Sequence, residues 1–190
     1  MIGAGKSTVS LVLEKQTAAT ISNADKVAKD LIKEHGIDNT NVIGNNAKLD
    51  EVERKLKPYF LKYYENLKKK NTGKKFIIMD APVLYEYGLE AYCDYVINVY
   101  CDEKTRTERV KARNHPSMEA FKFLNDRQKK TDVRMQRADF TIDTGKSPRD
   151  VEMQVMEIIG KIIEKERAKA QPTRPKKNNT RQGKTSKDRG

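Results

Sequence analysis

The stretch that decides the fold is the opening one, Met1-Ile2-Gly3-Ala4-Gly5-Lys6-Ser7-Thr8-Val9-Ser10-Leu11-Val12-Leu13-Glu14-Lys15-Gln16. Gly3 to Thr8 form a glycine-rich turn, and Val9, Val12 and Leu13 then fall on one helical face. A tight glycine turn followed by Lys-Ser at the head of a helix is the second half of a P-loop. In that arrangement backbone N–H groups of Gly3, Ala4, Gly5 and the helix start cradle phosphate oxygens. Lys6 reaches β/γ-phosphates and the Ser7 hydroxyl holds Mg²⁺, with Thr8 alongside. The plainer reading is an ordinary loop-to-helix turn, with Thr8 structural. The full motif also carries a glycine five residues before Gly5, preceded by a hydrophobic strand; both positions fall before Met1.

Composition narrows the class. The chain has 190 residues, 36% hydrophobic and 35% charged, which suits one globular domain with a core of its own. Cys93 and Cys101 are too few for a disulfide framework or a zinc cluster, and neither shares a motif with His35 or His115. No apolar run reaches the ~18 residues of a membrane span, and no signal-peptide pattern opens the chain. A cytoplasmic protein with no membrane span is expected. The net charge of +12 divides unevenly: Ala168 to Gly190 hold eight Lys or Arg and one acid, so the tail carries +7 and the body +5. A body at +5 suits anionic nucleotides. The tail (168–190), rich in Pro, Asn, Gly, Ser and Lys, reads as a disordered basic segment with weak contact to polyanions at most.

Between loop and tail, strand and helix patterns alternate. A helix through Gln16 precedes a β-leaning run, Thr17 to Ser22. Asn23 reads as the N-cap of a helix carrying Val27, Ala28, Leu31 and Ile32, stopped at Gly36. After an Asn-rich loop, Ala47 to Lys70 reads as a helical insertion in which Pro58 forces a kink or a division. Phe76 to Met79 is a compact apolar run read as a core parallel strand. Tyr85 to Ala91 is a helical loop, Tyr95 to Tyr100 a second clear strand, and Asp102 the cap of a helix to Arg113. His115-Pro116 breaks that helix, and Ser117 to about Arg134 supplies another. Ala138 to Asp143 is a further strand, and Pro148 opens a final helix with Val151, Val155, Ile158, Ile159, Ile162 and Ile163 on its apolar face. The pattern predicts an α/β, P-loop NTPase-like three-layer sandwich with a parallel sheet, ligand at the carboxyl ends of the strands. The domain runs 1–167, with the helical insertion at 47–70 and a helical lid at about 106–134.

Several polar residues sit where chemistry would need them, each with a plain alternative. Asp25 follows a strand at a helix start, where a carboxylate orients or deprotonates an attacking hydroxyl, or simply caps the helix. Asp80 ends the apolar strand, where it holds magnesium or substrate, or forms the turn. Glu86 nearby serves substrate geometry or is an exposed surface acid. Arg106, Arg109, Arg113, Arg127, Lys130 and Arg134 span two hinged helices and can close over phosphates as a lid, or stand solvated.

The order of these landmarks resembles the dephospho-coenzyme A kinase family. The resemblance rests on Gly3 to Thr8, Asn23-Ala24-Asp25-Lys26, the run Asp80-Ala81-Pro82-Val83-Leu84-Tyr85-Glu86-Tyr87-Gly88-Leu89, Cys93-Asp94-Tyr95-Val96, Arg109 with Arg113, Gln128, and Ala138-Asp139-Phe140-Thr141-Ile142-Asp143-Thr144-Gly145. It covers about residues 1–163, and its middle and last motifs are far more specific than the P-loop. It implies transfer of the γ-phosphate of ATP, with Mg²⁺, to the 3′-hydroxyl of dephospho-CoA. Lys6 and Ser7 would then serve the triphosphate and the metal, Asp25 the base, and Arg113 with Arg109 the phosphate clamps. Asp143, Thr144 and Gly145 would lie near the adenine, and Asp80 to Glu86 along the acceptor. ATP and dephospho-CoA are the implied partners, with no obligate protein partner.

Three features depart from the family pattern. Lys57-Pro58 stands where the family has His-Pro. Thr144-Gly145 replaces the usual residues before the late glycine. The central first strand, between Phe76–Met79 and Tyr95–Tyr100, is missing together with the first loop glycine, and impaired activity is expected from that. The competing readings are another small P-loop nucleoside or nucleotide kinase, and a degenerate non-catalytic P-loop domain that binds polyanions through its basic tail.

Overall fold

Hydrophobic runs of strand length alternate with helices that each bury one stripe, and this places every strand in a middle layer. The structure, a computed structural model, describes residues 2–73, 75–113, 116–129 and 137–170. Helix α1 (Lys6–Thr17) leads to β1 (Thr20–Asn23), α2 (Ala24–Glu34) and α3 (Asn46–Lys70). Strand β2 (Ile77–Asp80) follows, then a 3₁₀ turn at Leu89–Tyr92, β3 (Ile97–Tyr100), α4 (Glu103–Arg113), α5 (Met118–Lys129), β4 (Phe140–Asp143) and α6 (Pro148–Ala170). Side-chain caps fix five helix starts, the Ser117 hydroxyl accepting from the Ala120 N–H at 3.2 Å ahead of α5. Asn23 accepts from the Lys26 N–H at 2.9 Å, Asn45 from that of Lys48 at 3.0 Å, Asp102 from that of Thr105 at 2.9 Å, and Ser147 from that of Asp150 at 3.2 Å.

All strand pairs are parallel, as expected. They form two separate ladders among the described residues: β1 with β2, pairing Thr20 to Ile77 through Asn23 to Asp80, and β3 with β4, pairing Ile97 to Phe140 through Tyr100 to Asp143. Strands β2 and β3 are not paired with each other among the described residues. One helical layer holds α1 and α6 around Val9, Leu13, Val155, Ile158 and Ile162, with Val99 and Ile142 beneath them. The opposite layer holds α2 and α3 around Val27, Leu31, Leu56, Phe60 and Tyr64. Ile142, Val155, Leu89 and Phe60 are almost wholly buried, and removing such side chains from water contributes roughly 1.5–3 kcal/mol each.

Three boundaries differ from the sequence pattern. The run from Thr17 is not all strand: the Thr17 hydroxyl donates to the Leu13 carbonyl at 2.6 Å, which keeps Thr17 helical, and Ala18 then closes α1 in a left-handed conformation. The helical loop expected over Tyr85 to Ala91 is a turn that runs through Gly88, at φ 71°, into the 3₁₀ helix Leu89–Tyr92. Pro58 does not divide α3, which runs unbroken through 25 residues. Val52, Leu56, Phe60 and Tyr64 repeat at four-residue spacing and are all buried, so the anchored face outweighs the backbone bond that an exposed proline removes. Helix α6 continues to Ala170, past Arg167 where the composition changes. Lys130, Arg134 and most of the tail lie outside the described residues.

Because Pro58 is tolerated rather than required, Pro58→Ala is expected to stabilise the protein. Proline in a helix interior is about 3 kcal/mol less favourable than alanine, so a rise in the urea midpoint of up to that equivalent checks the point.

Candidate functional site

The site grows from the turn that starts α1. Gly3 and Gly5 sit at φ 73° and φ 80°, in the region that favours glycine. Space demands glycine too: a Cβ on Gly3 would meet the Arg106 carbonyl oxygen at 2.9 Å, and one on Gly5 would meet the Thr144 side chain at 3.3 Å. Gly5 caps α1 without any side-chain hydrogen bond. The first N–H groups of a 12-residue helix therefore point outward with the positive end of its dipole, an arrangement suited to an anion.

This loop is tied to both ladders. On one side the Ser7 hydroxyl donates to the Asp80 carboxylate, at the end of β2, at 3.2 Å. On the other, Thr144, just past β4, is 4% exposed. Its hydroxyl proton lies between the Ala4 carbonyl at 2.7 Å and the Tyr100 carbonyl at 3.1 Å. The expected adenine-side turn, Asp143 to Gly145, thus abuts the loop, with the Asp143 carboxylate accepting from the Gly145 N–H at 2.8 Å.

Lys6, Asp25 and Asp80 share one electrostatic neighbourhood at the carboxyl ends of β1 and β2. Burial pulls the Lys6 ammonium below the ordinary lysine value, while the Asp80 and Asp25 carboxylates pull it back up. Asp80 is buried and Asp25 is exposed in the first turn of α2. A cation, a hydroxyl and two carboxylates therefore border the helix start, and the Ser7–Asp80 pair supplies the oxygen donors that a hard divalent cation takes.

The lid arginines do different things. Arg109 donates from one guanidinium nitrogen to the Thr144 carbonyl at 2.7 Å and from the other to the Thr144 hydroxyl at 3.2 Å. Arg113, at the end of α4, is exposed. Arg106, which the residue pattern left as one of a solvated or clamping set, is 3% exposed. It donates to Asn125 at 2.7 Å and to the Ile2 carbonyl at 3.4 Å, bracing the front of the loop from below. Glu86 lies away from the loop, close enough to raise the pKa of Glu53; burial is the larger cause of that rise, and Arg127, which pairs with Glu53 and Asp50, opposes it. The Asn125 and Thr144 contacts were not legible in the sequence, because single polar residues on a helix or turn carry no spacing signal. Cys93 carries no nucleophile signature either: burial pushes its thiol up to about 11.

The sequence profile of the dephospho-CoA kinase family matches residues 39–150. That span contains the Asp80–Leu89 and Ala138–Gly145 motifs and excludes the loop and Asp25. The dephospho-CoA kinase of Rickettsia typhi is 33% identical over 92 residues, 48% of this chain and 48% of that protein. The chain thus spans about half the length of that relative and 62% of the Rickettsia conorii one. The dephospho-CoA kinase of Fusobacterium nucleatum is 27% identical over 173 residues, 79% of this chain and 89% of its own length. Among solved structures, TT1252 from Thermus thermophilus superposes at a TM-score of 0.63 and 17% identity, over 85% of this chain and 93% of that one. A dephospho-CoA kinase from Campylobacter jejuni superposes at 0.57 and 22% identity, over 87% and 95%. At these identities the superpositions establish a shared fold.

Two outcomes follow from the geometry. Thr144→Val removes the buried hydroxyl that donates to the Ala4 carbonyl, while the Tyr100 carbonyl keeps the bond from the backbone N–H of residue 144, so unfolding free energy is expected to fall by about 1–3 kcal/mol in urea titration. Lys6→Met is expected to alter the pH dependence of stability. The folded state holds the Lys6 proton less tightly than the unfolded chain does, so wild-type stability rises with pH through the window ending at the ordinary value of 10.5. Unfolding midpoints measured across that window should rise for wild type relative to Lys6→Met.

Proposed function

The chain belongs to the dephospho-CoA kinase family, and from that premise we propose that it transfers the γ-phosphoryl group of ATP to the 3′-hydroxyl of dephospho-CoA. The observation that carries the reading is the convergence of Lys6, Ser7, Asp25 and Asp80 around the open N-terminus of α1. Phosphoryl transfer asks little covalent chemistry of a protein; it asks for positioning and for compensation of charge.

In this reading the triphosphate lies along Gly3 to Thr8, its charge met by backbone N–H groups and the Lys6 ammonium. A partly desolvated ammonium is effective here because low local dielectric strengthens its attraction to phosphate oxygens. Mg²⁺, held by Ser7 and Asp80, would neutralise phosphate charge at the same point. Asp25 accepts the proton of the acceptor hydroxyl as its oxygen bonds to the γ-phosphorus, and the bond from γ-phosphorus to the bridging oxygen breaks to release ADP. Asp143 to Gly145 border the nucleotide, and Asp80 to Glu86 lead toward the acceptor side beneath α3. Arg113 is free to swing over the phosphates as the lid closes, while Arg109 first releases Thr144.

ADP formation from ATP should depend on dephospho-CoA, and mass spectrometry of the product should place the new phosphate on the ribose 3′-oxygen. Phosphorylation of nucleosides or nucleotides in preference to dephospho-CoA would overturn the substrate assignment. Asp25→Asn should lower kcat roughly 10²–10⁴-fold with the KM for ATP nearly unchanged; an unaltered kcat would remove Asp25 from the base role.

A further inference from the structure

Helix α5 touches both sides of the site through neighbouring residues. Phe121, Asn125 and Gln128 fall on one of its faces at helical spacing. That face meets the loop side: Asn125 accepts from Arg106 at 2.7 Å, and the Gln128 side chain accepts from the Ile2 N–H, just ahead of Gly3, at 3.2 Å. Arg127 projects about 100° round the helix from Gln128 and reaches α3. One of its guanidinium nitrogens donates to the Asp50 carboxylate at 2.7 Å and also to the Glu53 carboxylate. Both acids stand near the start of α3, in the helical layer against which Met79, Ala81, Val83 and Leu84 pack.

Helices α5 and α3 are packed separately. The buried Phe121 of α5 joins neither of the two apolar clusters that hold the helical layers. An ion pair between such elements can part and re-form without unpacking either. The pair is nevertheless sheltered: the Glu53 side chain is 16% exposed and that of Arg127 23%. Water therefore screens it less than a surface pair, and losing one partner strands the charge of the other. Burial raises the Glu53 pKa, Arg127 lowers it, and the Asp50 and Glu86 carboxylates raise it. Without Arg127, three carboxylates would repel one another, and any anionic acceptor, at the end of the Asp80 to Glu86 run.

We propose that Arg127 is a positioning residue, whose bridge from α5 to α3 latches the lid on the acceptor side while the adjacent Gln128 holds the front of the loop. A seated acceptor, rather than water, then meets the γ-phosphate. This role rests on dephospho-CoA being the acceptor. Arg127 touches no reacting atom and acts through the placement of α5. With the latch open the acceptor enters and the product leaves; with it shut, water is kept from the phosphate.

The test compares the full 190-residue chain with two variants. Arg127→Met keeps the apolar bulk without the charge, and the swap of Arg127→Glu with Glu53→Arg restores an ion pair in reverse. One readout is backbone hydrogen exchange without ligand; the other is the partition of ATP between 3′-phosphorylated product and free phosphate in the presence of dephospho-CoA. In Arg127→Met the amides of Leu124 to Gln128 should exchange about tenfold faster or more, with those of Val155 to Ile162 in α6 unchanged. The KM for dephospho-CoA and the share of free phosphate should each rise roughly tenfold. The swap should recover most of both changes. A merely structural lesion would speed exchange in α6 as well, or lower transfer and hydrolysis in parallel. Either outcome overturns the proposal, as does a swap that rescues neither readout. The wild-type chain decides the acceptor separately. If it makes no 3′-phosphorylated product, the assignment of dephospho-CoA fails and the role of Arg127 in transfer falls with it. If it makes product and Arg127→Met leaves the partition unchanged, the latch alone is overturned.

Discussion

The structure depends on one short loop that holds two separate ladders in register. Residues Gly3 to Ser7 touch the β1–β2 ladder through Ser7 and Asp80 and the β3–β4 ladder through Ala4 and Thr144. No backbone ladder joins the two pairs among the described residues, so the loop, with α1 and α6 above it, sets their relative position at the carboxyl edge. The same contacts fix the conformation of the loop that starts α1. Gly3 can lie against Arg106, and Gly5 against Thr144, only because neither carries a side chain. The tie between the ladders and the open start of α1 are thus made by the same backbone.

This dual role explains the electrostatics around it. Lys6 is held where burial disfavours its charge, with two carboxylates near enough to restore part of it. Arg106 is buried beneath the loop, and its Nε has no hydrogen-bond partner among the described residues. Buried cations of this kind cost stability in isolation. Both stand beside the helix start, where an anion would offset that cost.

Much of this was legible from residues alone, and the parts that were not share a physical reason. The alternation of strand and helix, the caps at Asn23 and Asp102 and the apolar stripe of α6 all follow from local pattern and strand hydrophobicity. The family was legible too, through Asp80–Leu89 and Ala138–Gly145, which lie inside the span that the family profile matches, whereas the loop lies outside it. Pro58 does not divide α3 because propensity is local while the buried row from Val52 to Tyr64 is tertiary. Thr144 gave no signal as the hinge between loop and lid arginine, since a lone threonine after a strand looks like any turn residue. Arg106 and Arg109 resemble the other basic residues of α4 in sequence, and only packing separates the buried brace from the threonine-bound clamp and the exposed Arg113.

The most direct measurement is a crystal structure of the chain with Mg²⁺, a non-hydrolysable ATP analogue and dephospho-CoA. The terminal phosphate should rest on the N-terminus of α1 within hydrogen-bonding reach of Lys6, with the ribose 3′-oxygen of the acceptor between that phosphate and Asp25. A nucleotide seated away from Gly3 to Thr8, or an acceptor hydroxyl remote from Asp25, would contradict the account.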